Sequence, residues 1–212
     1  MSRGIFITFE GNDGSGKTTQ ILLLSEYLKQ KGLEVVTLRE PGGTTIGEKI
    51  REILLDNRNR GMSPVAEMLL YAASRAQLVS EVIKPELEKN RAVICDRFVD
   101  SSLAYQGVGR GLGVNNVWVV NRQAVDDCLP DITFFMDLDA DASMARRIAK
   151  GEEADRIESE KMDFHRRVYS GYLELSRRYP DRIKRIDVNR SPQEVFAEIR
   201  GYVDEFLEKA ER

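Results

Sequence analysis

Residues 11–18 carry the pattern Gly-x-x-x-x-Gly-Lys-Thr, and this short segment constrains the fold more than any other part of the chain. Residues 5–10 in front of it have the apolar character of a buried strand, and residues 19–31 behind it have the character of a helix. In a strand–loop–helix of this kind, successive backbone N–H groups and the N-terminus of the helix converge on a phosphate. Glycine permits the sharp turn and the close approach to the anion. The pattern therefore predicts a phosphate-binding loop.

Two side chains complete the pattern, and each has its own expected role. Lys17 is expected to reach the outer phosphates of a nucleotide, and the Thr18 hydroxyl is expected to ligate Mg²⁺. The alternative is a glycine-rich turn that matches by chance, which the flanking strand and helix disfavour.

The composition limits the partners and the compartment. With 212 residues, the chain is long enough for one domain with a substantial core. A net charge of −3 argues against general affinity for nucleic acid, and no apolar run approaches the roughly 20 residues that span a bilayer. Cys95 and Cys128 cannot form a disulfide framework, and the single His165 gives little support for a histidine metal site. We therefore expect a cytoplasmic protein without nucleic-acid or membrane partners.

Strand-like and helix-like segments alternate along the chain. Further strands are predicted at residues 34–38, 92–96, 132–138 and 183–188, and further helices at residues 45–55, 63–89 and from 191 onward. Continuous apolar runs are typical of strands covered on both faces, as in a parallel sheet. We therefore predict one α/β domain over residues 1–212, with a doubly wound parallel sheet of about five strands and helices on both faces.

The helix predicted at residues 63–89 begins with clear N-terminal signals. Ser63 is a capping residue type, and Pro64 suits the first turn of a helix. Glu67 favours the positive end of the helix dipole. These signals predict that a long helix starts here and runs close to Lys89.

Charged residues follow three of the predicted strands. Glu10 ends the first, Arg39-Glu40 the second and Asp96-Arg97 the third. Each is open to a simpler interpretation, namely a charged strand terminus that enters solvent. Ligands of such sheets bind at the carboxyl ends of the strands, so three charged ends around one phosphate loop favour a shared site.

Six ordered segments, which span residues 5 to about 160, resemble the signatures of the thymidylate kinase family. They are the phosphate loop, Arg-Glu-Pro-Gly-Gly-Thr at 39–44, Tyr-Ala-Ala-Ser-Arg-Ala-Gln at 71–77, Asp-Arg-Phe at 96–98, Ser-Ser-Leu-Ala-Tyr-Gln-Gly at 101–107 and Asp-Arg-Ile-Glu at 155–158. The resemblance implies a P-loop nucleoside monophosphate kinase-like fold. It also implies transfer of the γ-phosphoryl group of ATP to dTMP with Mg²⁺ as cofactor, which gives dTDP and ADP for dTTP biosynthesis.

The same resemblance implies sets of site residues. Those expected to bind ATP are Gly11, Asn12, Asp13, Gly14, Ser15, Gly16, Lys17 and Thr18. Those expected to bind dTMP are Asp13, Arg39, Arg51, Tyr71, Arg75, Arg97, Ser102, Tyr105 and Gln106. The expected catalytic residues are Asp13, Lys17, Arg97, Arg147 and Arg156, and the expected metal site comprises Thr18 and Asp96.

On the phosphate side, the chemistry fits these residue types. The resemblance implies that Arg97 and Arg51 clamp the dTMP phosphate, with Arg39 as a further candidate for that cluster. Guanidinium suits this role because it is always charged and can donate two parallel hydrogen bonds. Asp13 places a carboxylate inside an anion-binding loop, so it needs a compensating contact, and the resemblance assigns it to the 3′-hydroxyl. The alternative for Asp13 is a local turn-former. Asp96 is expected to hold the Mg²⁺ shell through water.

On the base side, Tyr71 and Arg75 are four residues apart and share one helix face. The resemblance implies that Tyr71 stacks on thymine and that Arg75 donates to the base edge. The alternative for Tyr71 is a place in the hydrophobic core, which is more common for a tyrosine on a long helix. Ser102 and Gln106, in a loop after Arg97, are expected to bond the base. Tyr105 is expected to lie against the deoxyribose and exclude a 2′-hydroxyl.

Residues 146–160 resemble the mobile lid of the family, although a charged segment of this kind is also typical of a solvated helix end. The phosphate loop has no arginine between Asn12 and Ser15, which in this family accompanies the bacterial-type arrangement with a catalytic lid arginine. Arg147 and Arg156 fit that role best, and Lys150 stands where an arginine would be expected.

Several alternatives remain open at this point. The acceptor could be another deoxynucleotide or a nucleoside, although a two-arginine clamp favours a monophosphate. A GTP-dependent switch would carry an Asn-Lys-x-Asp element, which the sequence lacks. A non-catalytic homologue is disfavoured by the intact motifs. The family also implies a homodimer, for which an apolar helix face with Leu69, Ala72 and Ala73 is a candidate.

Overall fold

The computed structural model describes residues 3–151 and 154–210. Its strands are β1 (Phe6–Glu10), β2 (Val35–Arg39), β3 (Ala92–Asp96), β4 (Ile132–Asp137) and β5 (Ile183–Asp187). They form one parallel sheet in the order β2-β3-β1-β4-β5. Within these ranges, the prediction of a parallel sheet of about five strands is confirmed.

Helices cover both faces of the sheet, as predicted. Within the described ranges they are α1 (Lys17–Gln30), α2 (Thr45–Leu55), α3 (Pro64–Leu78), α4 (Lys84–Glu88), α5 (Val99–Ser102), α6 (Val114–Val125), α7 (Ala140–Lys150), α8 (Met162–Arg178) and α9 (Pro192–Ala210). On one face, Ile7 packs with Leu24 of α1 and Ile199 of α9. On the other face, Phe6 packs with Leu78 of α3. No helix in this part of the chain is long and apolar enough to cross a bilayer.

The strand registers bring the charged strand ends to one edge of the sheet. Asp96 of β3 pairs with Phe9 of β1 on one side and with Arg39 of β2 on the other. The central strand β1 is buried along its whole length, which explains its continuous apolar run. The phosphate loop therefore leaves the sheet from its middle, between the ends of its neighbours.

The helix predicted at residues 63–89 has nearly the predicted extent, but one of its turns is wider than an α-helical turn. Its start is confirmed, since the Ser63 hydroxyl accepts a hydrogen bond from the Ala66 N–H at 3.2 Å. A π-helical turn at Val79–Ile83 then separates α3 from α4. Pro85 lacks an N–H, and its ring would clash with the carbonyl of Glu81 in a regular α-helix, so the wider turn falls just before it. The prediction of a long helix that runs to about Lys89 is confirmed in its extent, and one of its turns is π-helical.

The segment after Arg97 was predicted as a loop but is helical. Helix α5 continues directly into a π-helical turn at Leu103–Gly109. Leu103 and Ala104 are buried in a cluster with Val168 and Tyr172 of α8, and this burial fixes the helical path. Packing, rather than local turn residues, therefore orients Tyr105 and Gln106.

The outer side of α3 is partly apolar. Leu69 is 50% exposed and Ala73 is also exposed, whereas Ala72 is buried. The predicted apolar face was therefore wrong in including Ala72, because that residue points to the interior. Val65, one turn before Leu69, belongs to the exposed face instead.

Candidate active site

The phosphate loop follows β1 and leads directly into α1. Gly11 has φ of 125°, and a Cβ there would lie 2.6 Å from the carbonyl oxygen of Met136, so only glycine fits beside β4. Gly16 has φ of 91° and is the last residue before α1. The loop therefore ends at the positive end of a 14-residue helix, which is the arrangement that binds phosphate.

Lys17 is folded back over the loop. Its Nζ donates to the carbonyl oxygens of Gly11 and Asn12, both at 3.1 Å, and lies 3.8 Å from Asp13 Oδ1. Burial and the neighbouring charge of Arg97 lower the pKa of the Lys17 ammonium. An incoming phosphate would relieve this burial cost, because it supplies the negative charge that the loop carbonyls only partly provide.

Two cavities meet at the phosphate loop. The loop cavity, about 280 Å³, is lined by residues that include Gly14, Lys17, Thr18, Arg39 and Asp96. The inner cavity, about 130 Å³, extends between α2, α3 and the helical segment after Arg97. Both cavities are lined by Asp13, Glu40, Arg51, Arg97 and Glu158.

Most of the predicted acceptor residues lie at the inner cavity. Its lining includes Asp13, Arg51, Tyr71, Arg97, Ser102, Tyr105 and Gln106. Arg39 lines only the loop cavity, where its guanidinium is half-exposed and pairs with both oxygens of Glu48 at 3.0 Å. A third cavity lies beyond the loop, between α1, Arg146 and the start of α9.

Arg97 is held at the junction of the two cavities. Its Nη2 donates to Asp13 Oδ1 at 2.8 Å, and its Nη1 donates to the hydroxyls of Tyr172 at 3.2 Å and Ser101 at 3.3 Å. Its backbone has φ of 68°, a left-handed conformation that is uncommon for a residue with a side chain. The hydrogen bond from its N–H to the Phe9 carbonyl at 2.8 Å holds that conformation against β1.

The Asp13 carboxylate faces this arginine. Burial alone would raise its pKa, but the charges of Arg97 and Lys17 outweigh burial and hold the pKa of Asp13 well below its usual range. The carboxylate is therefore ionised and bound to cations rather than used as a local turn-former.

Glu10 lies completely buried beneath Arg97, so its interpretation as a strand end in solvent was wrong. One carboxylate oxygen accepts from the Phe98 N–H at 2.8 Å, and the other accepts from Ser101 Oγ at 2.5 Å and from the Tyr172 hydroxyl at 3.0 Å. Burial, reinforced by the nearby charge of Asp100, raises the pKa of Glu10 to about 7. Ser101 and Tyr172 thus connect Glu10 to Arg97.

Arg75 lies behind the wall of the inner cavity and lines neither cavity described above. Only 1% of its side chain is exposed, and Nη2 donates to Glu40 Oε2 at 2.5 Å and to the Phe98 carbonyl at 3.0 Å. Nη1 donates to Ser102 Oγ at 3.0 Å and to the side-chain oxygen of Asn121. In this structure Arg75 supports Ser102, while a contact with a base remains a prediction.

The two candidate lid arginines occupy different places. Arg147 donates from Nη2 to Glu158 Oε2 at 3.0 Å, and its charge is close enough to help lower the pKa of Asp13. Arg156 instead donates from Nε to the Leu54 carbonyl at 2.6 Å and pairs with Glu67 at 2.8 Å. Arg147 therefore lies near the phosphate loop, whereas Arg156 anchors the end of the segment to α2 and α3.

Part of the predicted lid lies outside the described residues, namely residues 152–153 and the side chain of Lys150. Glu40 and Glu158 also line both cavities. The pattern of charged strand ends indicated Glu40 for a shared site without giving it a role. Glu158 belonged to the recognised segment 155–158, but nothing local in the sequence showed that its side chain would face the cavities.

Thr18 and Asp96 form a fitting pair of metal-site residues. Both line the loop cavity, and Asp96 Oδ1 is buried with no hydrogen-bond partner among the described residues. That part of the chain contains no cluster of three or more His, Cys, Asp or Glu side chains suited to a metal. Mg²⁺ in phosphoryl-transfer sites is bound through one or two protein ligands and the substrate phosphates, so a single carboxylate and a hydroxyl are enough.

A central parallel sheet, a phosphate loop after its first strand and a second, arginine-bearing cavity that opens beside that loop define the class of P-loop nucleoside monophosphate kinases. The loop cavity has the groups for a phosphoryl donor. The inner cavity combines cations with aromatic and amide side chains, as a nucleotide acceptor requires.

Comparisons with known proteins narrow this class. The family model described as thymidylate kinase matches residues 9–199. The thymidylate kinase of Symbiobacterium thermophilum is 51% identical over 203 residues, covering 96% of this chain and 94% of the relative. That of Thermoanaerobacter sp. is 50% identical over 205 residues, covering 97% and 100%. The crystal structure of thymidylate kinase from Ehrlichia chaffeensis has a TM-score of 0.76 at 36% identity and covers 95% of this chain and 98% of that one. The chain belongs to the thymidylate kinase family.

Proposed function

We propose that the protein transfers the γ-phosphoryl group of ATP to dTMP, giving dTDP and ADP for dTTP biosynthesis. The observation that carries this proposal is the junction of the two cavities at Asp13 and Arg97. Phosphoryl transfer needs little covalent help from the protein, but it needs two anions to be brought into line and neutralised. A junction of a donor cavity and an acceptor cavity at paired charges meets that need.

On the donor side, the proposed ATP contacts are the amides of Gly11, Asn12, Asp13, Gly14, Ser15 and Gly16, together with Lys17 and Thr18. The third cavity, beside Arg146, offers space for the nucleoside part of ATP. When bound with ATP, Mg²⁺ neutralises charge on the phosphates, and Thr18 and Asp96 are the residues that would hold it.

On the acceptor side, Arg97 and Arg51 are the proposed clamp on the dTMP phosphate. Arg51 lines both cavities, and its Nη1 donates to the Pro41 carbonyl at 3.0 Å. Within residues 3–151 and 154–210 its other donors meet no hydrogen-bond acceptor, so they are available to a phosphate. Asp13 is the proposed acceptor for the 3′-hydroxyl. Because the pKa of its carboxyl is held low, Asp13 can accept that hydrogen bond at any physiological pH.

The proposed base and sugar contacts are Tyr71, Ser102, Tyr105 and Gln106, which line the inner cavity. Tyr105 lies against the guanidinium of Arg97, 5.2 Å from the ring centroid, and so forms a wall next to the phosphate clamp. A wall in that place supports its proposed role in excluding a 2′-hydroxyl.

We further propose that residues 146–160 act as a mobile lid on the single domain and that Arg147 is the lid cation that acts on the transferring phosphoryl. Ser143 Oγ donates to the Asp13 carbonyl at 2.6 Å, so the helix that carries Arg147 is tied to the phosphate loop. Arg156 is committed to Glu67 and Leu54, which favours an anchoring role for it.

A cytoplasmic homodimer is the proposed form of the enzyme. Val65 and Leu69 of α3 are both half-exposed, and Val119 of α6 is 70% exposed, so α3 and α6 offer apolar surface to a second copy. Light scattering on the purified protein measures the oligomeric state, and a monomer at micromolar concentration would rule this form out.

A coupled assay of ADP release with ATP and Mg²⁺ tests the activity. The acceptors dTMP, dUMP, dCMP, dGMP, dAMP and thymidine are offered in parallel. We expect strong turnover with dTMP and weak turnover with dUMP, because one methyl group is worth only about 1–3 kcal/mol. Preference for thymidine or for a purine nucleotide would reject the proposed acceptor while leaving the phosphate loop unaffected.

A further inference from the structure

Glu67 is a buried carboxylate in the first turn of α3 that the proposed mechanism does not use. Its side chain is completely buried, and it does not belong to the lining of either cavity at the phosphate loop. Oε1 accepts from Gln106 Nε2 at 2.9 Å and from Arg110 Nε at 3.1 Å. Oε2 accepts from Arg110 Nη2 at 2.9 Å and pairs with Arg156 Nη1 at 2.8 Å. All four acceptor positions of the carboxylate are therefore occupied.

This set of donors keeps Glu67 ionised. Burial alone would raise its pKa, but the hydrogen bonds from Arg110 and Gln106 outweigh burial, and the pKa of Glu67 is lowered. An ionised carboxylate can only accept hydrogen bonds. The end of the Gln106 amide that faces Glu67 must therefore be the NH₂ group, because the carbonyl end would place two acceptors against each other.

Gln106 itself lines the inner cavity. Since Nε2 is held by Glu67, which does not line the cavity, the carbonyl oxygen Oε1 is the end of the amide left for a ligand. Among the described residues, no donor reaches Oε1. The amide thus offers the cavity an acceptor, and pyrimidines differ at the matching position: N3 of thymine and uracil carries a hydrogen, whereas N3 of cytosine has a lone pair.

We propose that Glu67 is a positioning residue for acceptor choice, because it fixes the Gln106 amide with its carbonyl oxygen towards the inner cavity. A base with an N3–H can then donate to Oε1, whereas a base with an unprotonated N3 meets a second acceptor. This inference rests on the proposed function, since it assumes that the acceptor base occupies the inner cavity. It deepens that function by assigning the choice between thymine-type and cytosine-type bases to a residue outside the cavity lining.

The test compares dTMP with 5-methyl-dCMP, which keeps the methyl group of thymine and changes only the hydrogen-bonding edge. Glu67→Gln replaces the acceptor-only group with an amide that can face Gln106 in either orientation. We expect the ratio of kcat/KM for dTMP over 5-methyl-dCMP to fall by about tenfold or more, mainly through KM. In a Gln106→Leu background, Glu67→Gln should leave the ratio unchanged, because there is no amide to orient.

Arg110→Gln is the matched control. It breaks the same cluster, but Glu67 keeps Arg156 and Gln106, so the base ratio should stay as in the unmodified protein. If Glu67→Gln does not fold, Glu67→Asp keeps the charge for both arginines and withdraws the carboxylate from Gln106. A ratio that does not change in either Glu67 variant, or that falls equally in Arg110→Gln, would overturn the proposal.

Calorimetric binding of the same two nucleotides separates this inference from the proposed function. Absent turnover of dTMP by the unmodified protein would reject the function, and the binding ratio would still report on Gln106. A normal dTMP turnover with an unchanged binding ratio in Glu67→Gln would reject the role of Glu67 alone.

Discussion

Arg97 and Arg75 are two arginines next to the same cavity, and they are satisfied in different ways. Arg97 is 16% exposed, lies at the junction of both cavities and is bound to Asp13 and two hydroxyls. Arg75 is 1% exposed, and its two terminal nitrogens donate hydrogen bonds to four protein acceptors, one of which is Glu40. The family resemblance assigns both arginines to dTMP binding, but of the two only Arg97 lines the cavities.

The difference follows from the backbone that carries each residue. Arg97 follows β3 directly, and its left-handed φ turns its side chain into the space above the phosphate loop. Arg75 lies in the last turn of α3, on the inner side that packs against the rest of the domain. An arginine that is to bind a phosphate needs donors that the protein leaves unused, whereas a buried arginine is stable only when most of its donors are matched. Both terminal nitrogens of Arg75 are matched, although its Nε has no partner among the described residues. We therefore expect substitution of Arg75 to affect stability first and substitution of Arg97 to affect turnover first.

The largest expected effect is that of Arg75→Leu on stability. The change leaves Glu40 buried without its cation, and loss of one partner of a buried ion pair costs about 3–5 kcal/mol. Urea unfolding measures this free energy. The matched control is Arg39→Leu, which breaks an exposed Arg–Glu pair and should cost less than about 1 kcal/mol.

The double variant Glu40→Leu/Arg75→Leu sharpens that result. Since it removes both charges together, its cost should be clearly smaller than the sum of the two single changes. Equal costs for Arg75→Leu and Arg39→Leu would contradict the view that Arg75 is mainly structural.

The next effect is that of Arg97→Gln on catalysis. Loss of one preorganised cation at the site of charge development should lower kcat/KM for dTMP by about 10²–10³. Stability should change much less, because Arg97 is partly open and its partners Ser101 and Tyr172 keep their hydrogen bonds to Glu10. Steady-state kinetics and urea unfolding on the same preparation measure the two effects.

Arg166→Gln on the outer side of α8 is the control for this variant, since Arg166 is exposed and pairs with the surface carboxylates of Asp141 and Asp163. It should keep the turnover of the unmodified protein. An Arg97→Gln enzyme with normal kcat/KM, or one whose loss of activity follows its loss of stability, would remove Arg97 from the proposed clamp.

Much of the fold was predictable because its signals are local. The phosphate loop, the apolar strands and the Ser63 cap are each encoded within a few residues. The π-helical turn before Pro85 was also visible in principle, since proline disturbs the preceding turn of a helix. The helical path after Arg97 was not, because it depends on burial of Leu103 and Ala104 against α8, more than 60 residues further on.

The sequence predicted which residues belong to the site better than it predicted the contacts that their side chains make. A motif match can identify Arg75 and Arg156 as site residues, but it does not show which carboxylate each one contacts. Arg75 pairs with Glu40, which lies far from it in the sequence. Arg156 pairs with Glu67, for which the sequence indicated a different role. Glu67 was expected to favour the positive end of its helix. In the structure its carboxylate turns inward to Gln106, Arg110 and Arg156, and no local pattern distinguishes these two uses of the same side chain.

The smallest expected effect concerns Glu10, which connects to Arg97 through Ser101 and Tyr172. Its pKa is raised to about 7 in the folded protein from an ordinary value of 4.5. The folded state therefore binds this proton more tightly, so the associated stability is fully present below about pH 4.5 and is lost as the pH rises to about 7. A shift of this size corresponds to up to about 3 kcal/mol.

Glu10→Gln keeps the shape of the side chain and removes the titration. The stability of the unmodified protein relative to Glu10→Gln should thus be greater at pH 5 than at pH 7.5, as measured by urea unfolding at both values. Glu34→Gln is the control variant, because it removes one negative charge from an exposed side chain and so measures the effect of the lost charge alone. If the relative stability of Glu10→Gln were the same at both pH values, Glu10 would be ionised throughout. The hydroxyls of Ser101 and Tyr172 would then face a full negative charge beneath Arg97, and Arg97 would be held more firmly than the raised pKa implies.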